Sequence, residues 1–299
     1  MTPARFERAG ENGRLTVAVP SKGRMLQPTL DLCAAAGLSF ETTERALLVP
    51  CLNAPVDLLL VRPHDIPEYV QDGVVDVGIT GANLVVESRA EVVTLAELGY
   101  ARCTLEAAVP VDAGCSTVTD LEGLRVATAY PVSTRTCLDR VGVSVELVTI
   151  SGSVEAAPRL GLADAIVDLV STGSTASVNG LRRIGSLLDS QAVLVHGGDG
   201  AGEKDDLVER LALMLGAVVA ARRRRYVMMN ASASSLEAIR AVLPSMGAPS
   251  VLELADPGQI AAWIAIWPGS ASSSTDGAPM LGSTARISSS ASAGAFIIT

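Results

Sequence analysis

Short aliphatic runs alternate with helix-like segments over the first two hundred residues, and this alternation constrains the fold more than any other feature. Buried strands are predicted at residues 15–19, 56–62, 75–80, 103–109, 124–128, 145–150, 165–170 and 192–195. Helices are predicted at residues 25–36, 66–71, 132–141, 153–160 and 205–221. Strand, helix and strand in succession favour parallel α/β sheets with helices on both faces. The strands are too many for one compact sheet, so more than one is expected.

The composition excludes several classes of protein. Hydrophobic residues make up 48% of the chain but aromatic residues only 3%, which is typical of aliphatic cores under parallel sheets. A formal charge of −9 provides no basic face for nucleic acid. The five cysteines form no CxxC pair and there are only two histidines, so neither a disulfide framework nor a zinc site is indicated. Neither a secretory signal nor a membrane-length apolar run is recognisable, which predicts a cytoplasmic protein.

The pattern changes after the helix predicted at 205–221. Strands at 226–229, 251–254 and 260–267 and a helix at 236–243 predict a separate, smaller α+β unit. Residues 270–292 then include nine serines, and residues 259–299 hold only two charges, Asp276 and Arg286. This serine-rich tail is expected to be an irregular cover or disordered.

The strand predicted at 165–170 leads directly into a cluster of hydroxyl groups around Gly173. These hydroxyls belong to Ser171, Thr172, Ser174 and Thr175. Small polar residues between a strand end and a helix start predict a phosphate cradle, with an ordinary turn as the alternative. Asp168 stands two residues before the end of the strand, where open α/β sheets bind ligands. It would hold sugar hydroxyls or a hydrated Mg²⁺, or else cap a neighbouring loop.

Two further turns place cationic and small residues at strand ends. Lys22 and Arg24 flank Gly23 directly after the first strand, which suits either an anion site or a solvated turn. Arg62 ends a buried strand, where a charge needs a partner or a ligand. Thr80-Gly81 ends the next strand and leads into a helix, forming a second candidate cradle. His64 is interpreted as a structural cap rather than a catalytic base.

Together these stretches closely resemble the ATP phosphoribosyltransferase family. Its signature is matched at Glu155, Gly161, Ala163, Ile166, Asp168, Leu169, Thr172, Gly173 and Thr175, and departs at Ala176, where Leu or Met is expected. The resemblance runs through SKGR (21–24), residues 65–81 and VATAYP (126–131) to about Asp256. Beyond that point the helix and closing strand expected of the family are replaced by the serine-rich tail.

The resemblance implies an α/β fold with a two-lobed core of the type II periplasmic-binding-protein kind. Lobe I would comprise residues 1–108 and 190–222, and lobe II residues 109–189 with the loop that binds 5-phosphoribosyl 1-diphosphate (PRPP). Residues 223–299 would form the ferredoxin-like (ACT-like) regulatory domain of long-form members, degenerate at its end. The implied reaction transfers the phosphoribosyl group of PRPP to N1 of ATP, giving N1-(5-phosphoribosyl)-ATP and pyrophosphate, the first step of L-histidine biosynthesis.

The resemblance also implies the parts played by individual residues. Arg62 and Asp168 would be catalytic, and Mg²⁺ would be held mostly through substrate phosphates, with Asp168 as a candidate ligand. PRPP would contact Glu155, Asp168, Ser171, Thr172, Gly173, Ser174 and Thr175. ATP and pyrophosphate would contact Lys22, Gly23, Arg24, Arg62, Thr80 and Gly81.

The resemblance further implies that histidine and AMP act as inhibitors and that the chain forms a homo-oligomer, a dimer or a hexamer. The competing interpretation is a two-lobed small-molecule binding protein or effector domain without catalysis. A secreted receptor needs a signal peptide and a transcription regulator needs a helix-turn-helix module, and neither is recognisable in the sequence.

Overall fold

The structure is a computed structural model that describes residues 13–41, 46–170, 179–198, 204–222, 225–237, 250–253 and 259–266. The contact pattern divides the chain into two compact units, Met1–Val218 and Val219–Thr299. The hydroxyl cluster 171–175, most of the helix predicted at 236–243 and the serine-rich tail lie outside the described residues.

The first unit contains two sheets, and the first of them has six strands. In chain order these are β1 (Leu15–Pro20), β2 (Leu48–Pro50), β3 (Val56–Val61), β4 (Val77–Gly81), β5 (Val92–Glu97) and β11 (Ala192–Gly197). Their spatial order is β2-β3-β1-β4-β11-β5. The central strands β3, β1 and β4 are parallel, and all six residues of β1 are buried, as expected for a strand covered on both faces.

The second sheet has five strands in the order β10-β6-β9-β7-β8. They are β6 (Cys103–Pro110), β7 (Arg125–Thr128), β8 (Glu146–Thr149), β9 (Ala165–Val170) and β10 (Leu181–Ser190). Strands β8, β7 and β9 are parallel, whereas β6 and β10 run antiparallel to their neighbours. The two sheets and their helices form the predicted two-lobed α/β core, and that prediction is confirmed.

The described helices cover the two sheets. They are α1 (Leu26–Ala35), α2 (Ile66–Gln71), α3 (Ala82–Ser88), α4 (Pro131–Arg140) and α5 (Asp205–Arg222). Helix α2 packs Ile66 and Val70 onto Ala18, Val193 and Val195 of the first sheet. In the second lobe, the aliphatic side chains of Leu105, Val126, Leu138 and Val167 form part of one buried cluster. Three shorter 3₁₀ turns lie at Val118–Leu121, Val154–Ala156 and Ala233–Ser235.

The chain crosses between the two sheets twice, through residues 98–102 and through Gln191. The crossings are hydrogen-bonded to each other, because Leu98 N donates to Ala192 O at 2.9 Å and Ala192 N donates to Tyr100 O at 2.9 Å. Residue Ala101 in the first crossing has a left-handed backbone (φ +52°), which is unfavourable for a residue with a Cβ. We refer to these two crossings between the sheets as the hinge.

The structure corrects two sequence expectations. The sheets are mixed rather than parallel, because the predicted strands β6 and β11 and the unpredicted strands β2, β5 and β10 all pair antiparallel with their neighbours. The helix predicted at 153–160 is only a 3₁₀ turn followed by further turns. Its fifth position is Pro158, whose ring would clash with the carbonyl one turn earlier in an α-helix.

The pairing of β6 and β10 shows where the lobes meet. Both strands hydrogen-bond within the second sheet, so residues 103–108, assigned from the sequence to lobe I, pair with lobe II, as does Ser190 at the end of β10. An aliphatic run predicts a strand but not the sheet that it joins.

The second unit is described in three strands. These are β12 (Arg225–Ser232), β13 (Ser250–Glu253) and β14 (Gln259–Ile266), in the order β12-β14-β13 with both pairs antiparallel. This order is the one expected for the first three strands of a ferredoxin-like domain. Within the described ranges, no helix has both the length and the hydropathy needed to cross a bilayer.

Candidate functional site

A cleft of about 190 Å³ lies between the two lobes, where loops from both sheets meet. The lobe I wall follows the carboxyl ends of β1, β3 and β4, the position at which open α/β sheets bind ligands. The lobe II wall is formed at the ends of β7 and β9. The lining residues are Lys22, Gly23, Arg24, Met25, Pro63, His64, Gly81, Asn83, Leu84, Ala101, Tyr130 and Leu169.

Lobe I supplies the positive charge of this cleft. The side chains of Lys22 and Arg24 are exposed on the turn between β1 and α1. The turn needs Gly23, whose φ is +80° and whose carbonyl accepts a hydrogen bond from Leu26 N at 3.3 Å. Two cations on a short, fixed turn are suited to holding phosphate groups.

Lobe II supplies a half-buried carboxylate beside the cleft. Asp168 lies on β9 directly before the lining residue Leu169, and its Oδ1 accepts a hydrogen bond from Leu169 N at 2.8 Å. Burial raises the pKa of Asp168, the nearby Glu155 carboxylate raises it further, and the Leu169 hydrogen bond lowers it. The structure therefore brings Glu155 and Asp168, two residues of the family signature, within electrostatic reach of each other.

Tyr130 of lobe II also lines the cleft. Its pKa is raised mainly by burial and also by the Asp168 carboxylate, whereas the Arg24 cation lowers it. Tyr130 and Arg24 both line the cleft, and Asp168 directly precedes the lining residue Leu169. Tyr130 was not identified as a site residue from the sequence, although VATAYP belongs to the matched stretches and Pro131 predicts a helix start directly after it.

The residues predicted at the end of β4 have different surroundings. Thr80 is fully buried, and its hydroxyl donates to the Pro63 carbonyl at 2.9 Å. It thus holds the turn that carries Pro63 and His64 into the cleft. Gly81 lines the cleft directly and precedes the first residue of α3.

Arg62 and His64, which follow the end of β3, differ in their relation to the cleft. The side chain of Arg62 is exposed and is not among the residues that line the cleft, while its carbonyl accepts a hydrogen bond from Asp65 N at 3.0 Å. His64, interpreted from the sequence as a structural cap, is exposed and lines the cleft. The predicted PRPP contacts Ser171, Thr172, Gly173, Ser174 and Thr175 lie outside the described residues, directly after β9.

A larger cavity of about 610 Å³ lies along the hinge. Two hydrogen bonds link residues of its walls. The Thr104 hydroxyl donates to Asp189 Oδ1 at 3.0 Å, and Gln191 Nε2 donates to Glu97 Oε2 at 2.5 Å. These polar groups of the cavity wall are therefore already engaged in hydrogen bonds with one another. The smaller cleft is the better candidate site, because the carboxyl ends of β1, β3 and β4 and two cations of lobe I meet the ends of β7 and β9 there.

We expect Gly81→Ala to destabilise the protein and to weaken ligand binding. A Cβ at this position would lie 2.6 Å from Asn83 Oδ1, which already accepts a hydrogen bond from Ser190. Overpacking of this kind costs about 1–3 kcal/mol. Thermal unfolding measures the cost, and a matched Gly216→Ala variant, whose Cβ meets nothing within 4 Å on α5, should be neutral or stabilising. Equal melting temperatures for the two variants would contradict the crowding at Gly81.

Comparison with known proteins places the chain beside one enzyme family. The profile described as ATP phosphoribosyltransferase matches residues 62–217, and the one described as HisG, C-terminal domain, matches residues 221–267. An ATP phosphoribosyltransferase of Bacteroides thetaiotaomicron is 39% identical over 244 residues, which cover 82% of this chain and 86% of that protein. One of Maricaulis maris is 42% identical over 249 residues, which cover 81% and 85%.

A solved structure of an ATP phosphoribosyl transferase complex also resembles the core of this chain. The ATP phosphoribosyl transferase (HisG:HisZ) complex from Thermotoga maritima contains a chain that superposes with a TM-score of 0.59 at 26% identity. The match covers 69% of this chain and 98% of that chain.

Proposed function

Because the chain belongs to the ATP phosphoribosyltransferase family, we propose that its interlobe cleft joins ATP to PRPP, forming N1-(5-phosphoribosyl)-ATP and pyrophosphate in the first step of L-histidine biosynthesis. One observation supports the assignment of the cleft: Lys22 and Arg24 of lobe I and Leu169 of lobe II, the neighbour of Asp168, line it from opposite lobes. A binding protein without catalysis is the other candidate, and the family matches favour the enzyme.

The chemistry requires charge stabilisation more than a protein nucleophile. Adenine N1 is a weak nucleophile, so the bond between ribose C1 and the diphosphate oxygen must break as the C1–N1 bond forms. The bonding electron pair leaves with the diphosphate, and positive charge grows on the ribose ring, as in other glycosyl transfers. The Lys22 and Arg24 side chains stabilise the departing diphosphate, and Asp168 and Glu155 lie on the ribose side.

The donor set of the cleft fits Mg²⁺ only when substrate completes the site. Among the residues that the structure describes, no group of three or more His, Cys, Asp and Glu side chains could hold a metal ion. The Asp168 carboxylate has one oxygen free of the Leu169 bond, and Mg²⁺ in proteins commonly takes one or two carboxylates plus substrate phosphates. We propose that Asp168 provides such a ligand and that Mg²⁺, when bound, neutralises charge on the diphosphate.

The remaining proposals concern regulation and assembly. The match to the HisG C-terminal domain supports binding of histidine as a feedback inhibitor by the second unit. AMP would compete with ATP for the cleft, since it shares the adenine and one phosphate. We propose a homo-oligomer, a dimer or a hexamer, and a cytoplasmic location, where both substrates are available.

Arg62→Ala is expected to lower turnover at least about tenfold, because Arg62 directly precedes the lining residue Pro63 and its exposed guanidinium is proposed to contact the departing diphosphate when substrates bind. The fold should be unaffected, since the side chain is exposed. Steady-state rates at saturating ATP and PRPP measure the effect. Rates within about threefold of wild type would remove Arg62 from the reaction.

The proposed function is tested by incubating the full chain with ATP, PRPP and Mg²⁺. Equimolar pyrophosphate and a new ultraviolet absorbance from N1-alkylated adenine are expected. Omission of PRPP should abolish both signals. Tight binding of either substrate with no pyrophosphate release would support the non-catalytic alternative. Addition of histidine to the same assay tests feedback inhibition.

A further inference from the structure

Helix α4 of lobe II lacks a cap of its own. Its N-cap residue is Tyr130, whose side chain makes no capping hydrogen bond, and its first position is Pro131, which has no N–H. The first helical hydrogen bond is donated by Thr134 N to Tyr130 O at 2.9 Å. The N–H groups of Val132 and Ser133 therefore need an acceptor from outside the helix.

That acceptor comes from the other lobe. Glu87, on α3 of lobe I, accepts Val132 N at 3.1 Å with Oε1 and Ser133 N at 2.8 Å with Oε2. Its side chain is half-buried. A carboxylate at a helix N-terminus gains both from charge-assisted hydrogen bonds and from the helix dipole.

The opposite end of α3 is also bonded to lobe II. Ser190, the last residue of β10, accepts Asn83 N at 3.0 Å and donates its hydroxyl to Asn83 Oδ1 at 2.8 Å. Both side chains are buried. Helix α3 thus holds lobe II at two points, one beside the hinge and one at the start of α4.

We propose that Glu87 is a positioning residue that latches the two lobes together and sets the place of Tyr130 in the cleft. The latch acts through α4, because Tyr130 is its N-cap and lines the cleft together with Arg24 and Leu169. Opening the lobes would separate Glu87 from Val132 and Ser133. A chain without these hydrogen bonds spends less time with the two lobes close enough to contact the same ligand.

The latch is tested first without substrate, by hydrogen exchange on the full chain. In Glu87→Ala, the amides of Val132 and Ser133 should exchange at least about tenfold faster than in wild type, because they lose their acceptor. The matched control is Glu122→Ala, which removes an equivalent bond to Ser144 N at 2.6 Å within lobe II. It should leave the amides of Val132 and Ser133 unchanged.

The second measurement rests on the proposed function and separates KM from kcat. Glu87→Ala should raise KM for ATP and PRPP at least about fivefold and change kcat less than about threefold, because saturating substrates draw the lobes together. Glu87→Gln, which keeps one acceptor oxygen, should fall between Glu87→Ala and wild type. Glu122→Ala should behave as wild type.

Unchanged exchange at Val132 and Ser133, unchanged KM in Glu87→Ala, or equal effects from Glu122→Ala would each overturn the latch. If Glu87→Ala does not fold, Glu87→Gln is compared with wild type by the same criteria. If the wild-type chain shows no transferase activity, the proposed function fails while the exchange measurement still decides the latch.

Discussion

Asp168→Asn is expected to lower turnover at least about 100-fold while raising the melting temperature of the ligand-free protein near pH 7. The loss of activity is expected because Asp168, the one charged residue of β9, is proposed to act on the ribose side of the reaction. The gain in stability follows from burial, the main cause of the raised pKa of Asp168. Asparagine retains an oxygen to accept the Leu169 N–H bond and carries no charge.

The sign of the pH dependence follows from the direction of that shift. A carboxyl group whose pKa is raised by folding favours the folded state below its unfolded pKa, about 3.9 for aspartate, and loses that contribution as the pH rises through the folded value. Near pH 7 the ionised Asp168 side chain therefore costs stability. The advantage of Asp168→Asn should shrink as the pH is lowered and disappear in acid.

Asp164→Asn is the matched control, and its effect should have the opposite sign. The pKa of Asp164 is lowered mainly by its side-chain hydrogen bond with Arg125 and also by the Arg125 N–H. Its ionised form therefore stabilises the fold near pH 7, although the pair is exposed and the effect is small. Thermal unfolding at several pH values checks both variants, and a lower melting temperature for Asp168→Asn at pH 7 would contradict the account.

Arg24→Ala is expected to lower turnover at least about 100-fold with little change in stability. The side chain is exposed, so its loss costs little packing, but it lines the cleft and is proposed to stabilise the departing diphosphate together with Lys22. Removal of a positive charge aimed at the leaving group should reduce kcat as well as kcat/KM.

The control for this variant is Arg210→Ala, an exposed arginine on α5 that does not line the cleft. It should retain wild-type kinetics. Steady-state rates with ATP and PRPP varied separately distinguish the two variants. Equal rates for Arg24→Ala and Arg210→Ala would show that the turn after β1 does not act on the diphosphate.

Sequence periodicity predicted most of the core correctly because its strands are continuous aliphatic runs. The strand predicted at 165–170 coincides with β9, and the helix predicted at 66–71 coincides with α2. Strand β10 was missed because its LRRIGSLLDS sequence has neither a buried run nor strict alternation, and its two register irregularities disturb the pattern further. Edge strands are specified by their partners rather than by their own residues.

The sequence indicates candidate site residues where the chemistry is local in sequence, and it does not indicate those that depend on long-range contacts. Lys22, Arg24 and Asp168 were identified from strand ends, and the structure places the first two in the lining of the cleft and Asp168 directly before the lining residue Leu169. Tyr130 and Glu87 become candidates only through long-range contacts, since Tyr130 lines the cleft and Glu87 bonds across the lobes. Glu87 resembles any surface glutamate on a helix until α4 is seen to need an acceptor across the lobes.

The most direct test of the interlobe cleft as the catalytic site is a crystal structure of the full chain with PRPP bound. The account predicts the ribose beside Asp168 on lobe II and the diphosphate against Lys22 and Arg24 on lobe I. Electron density for PRPP only in the larger hinge cavity, or a fully occupied ligand that touches one lobe alone, would contradict it.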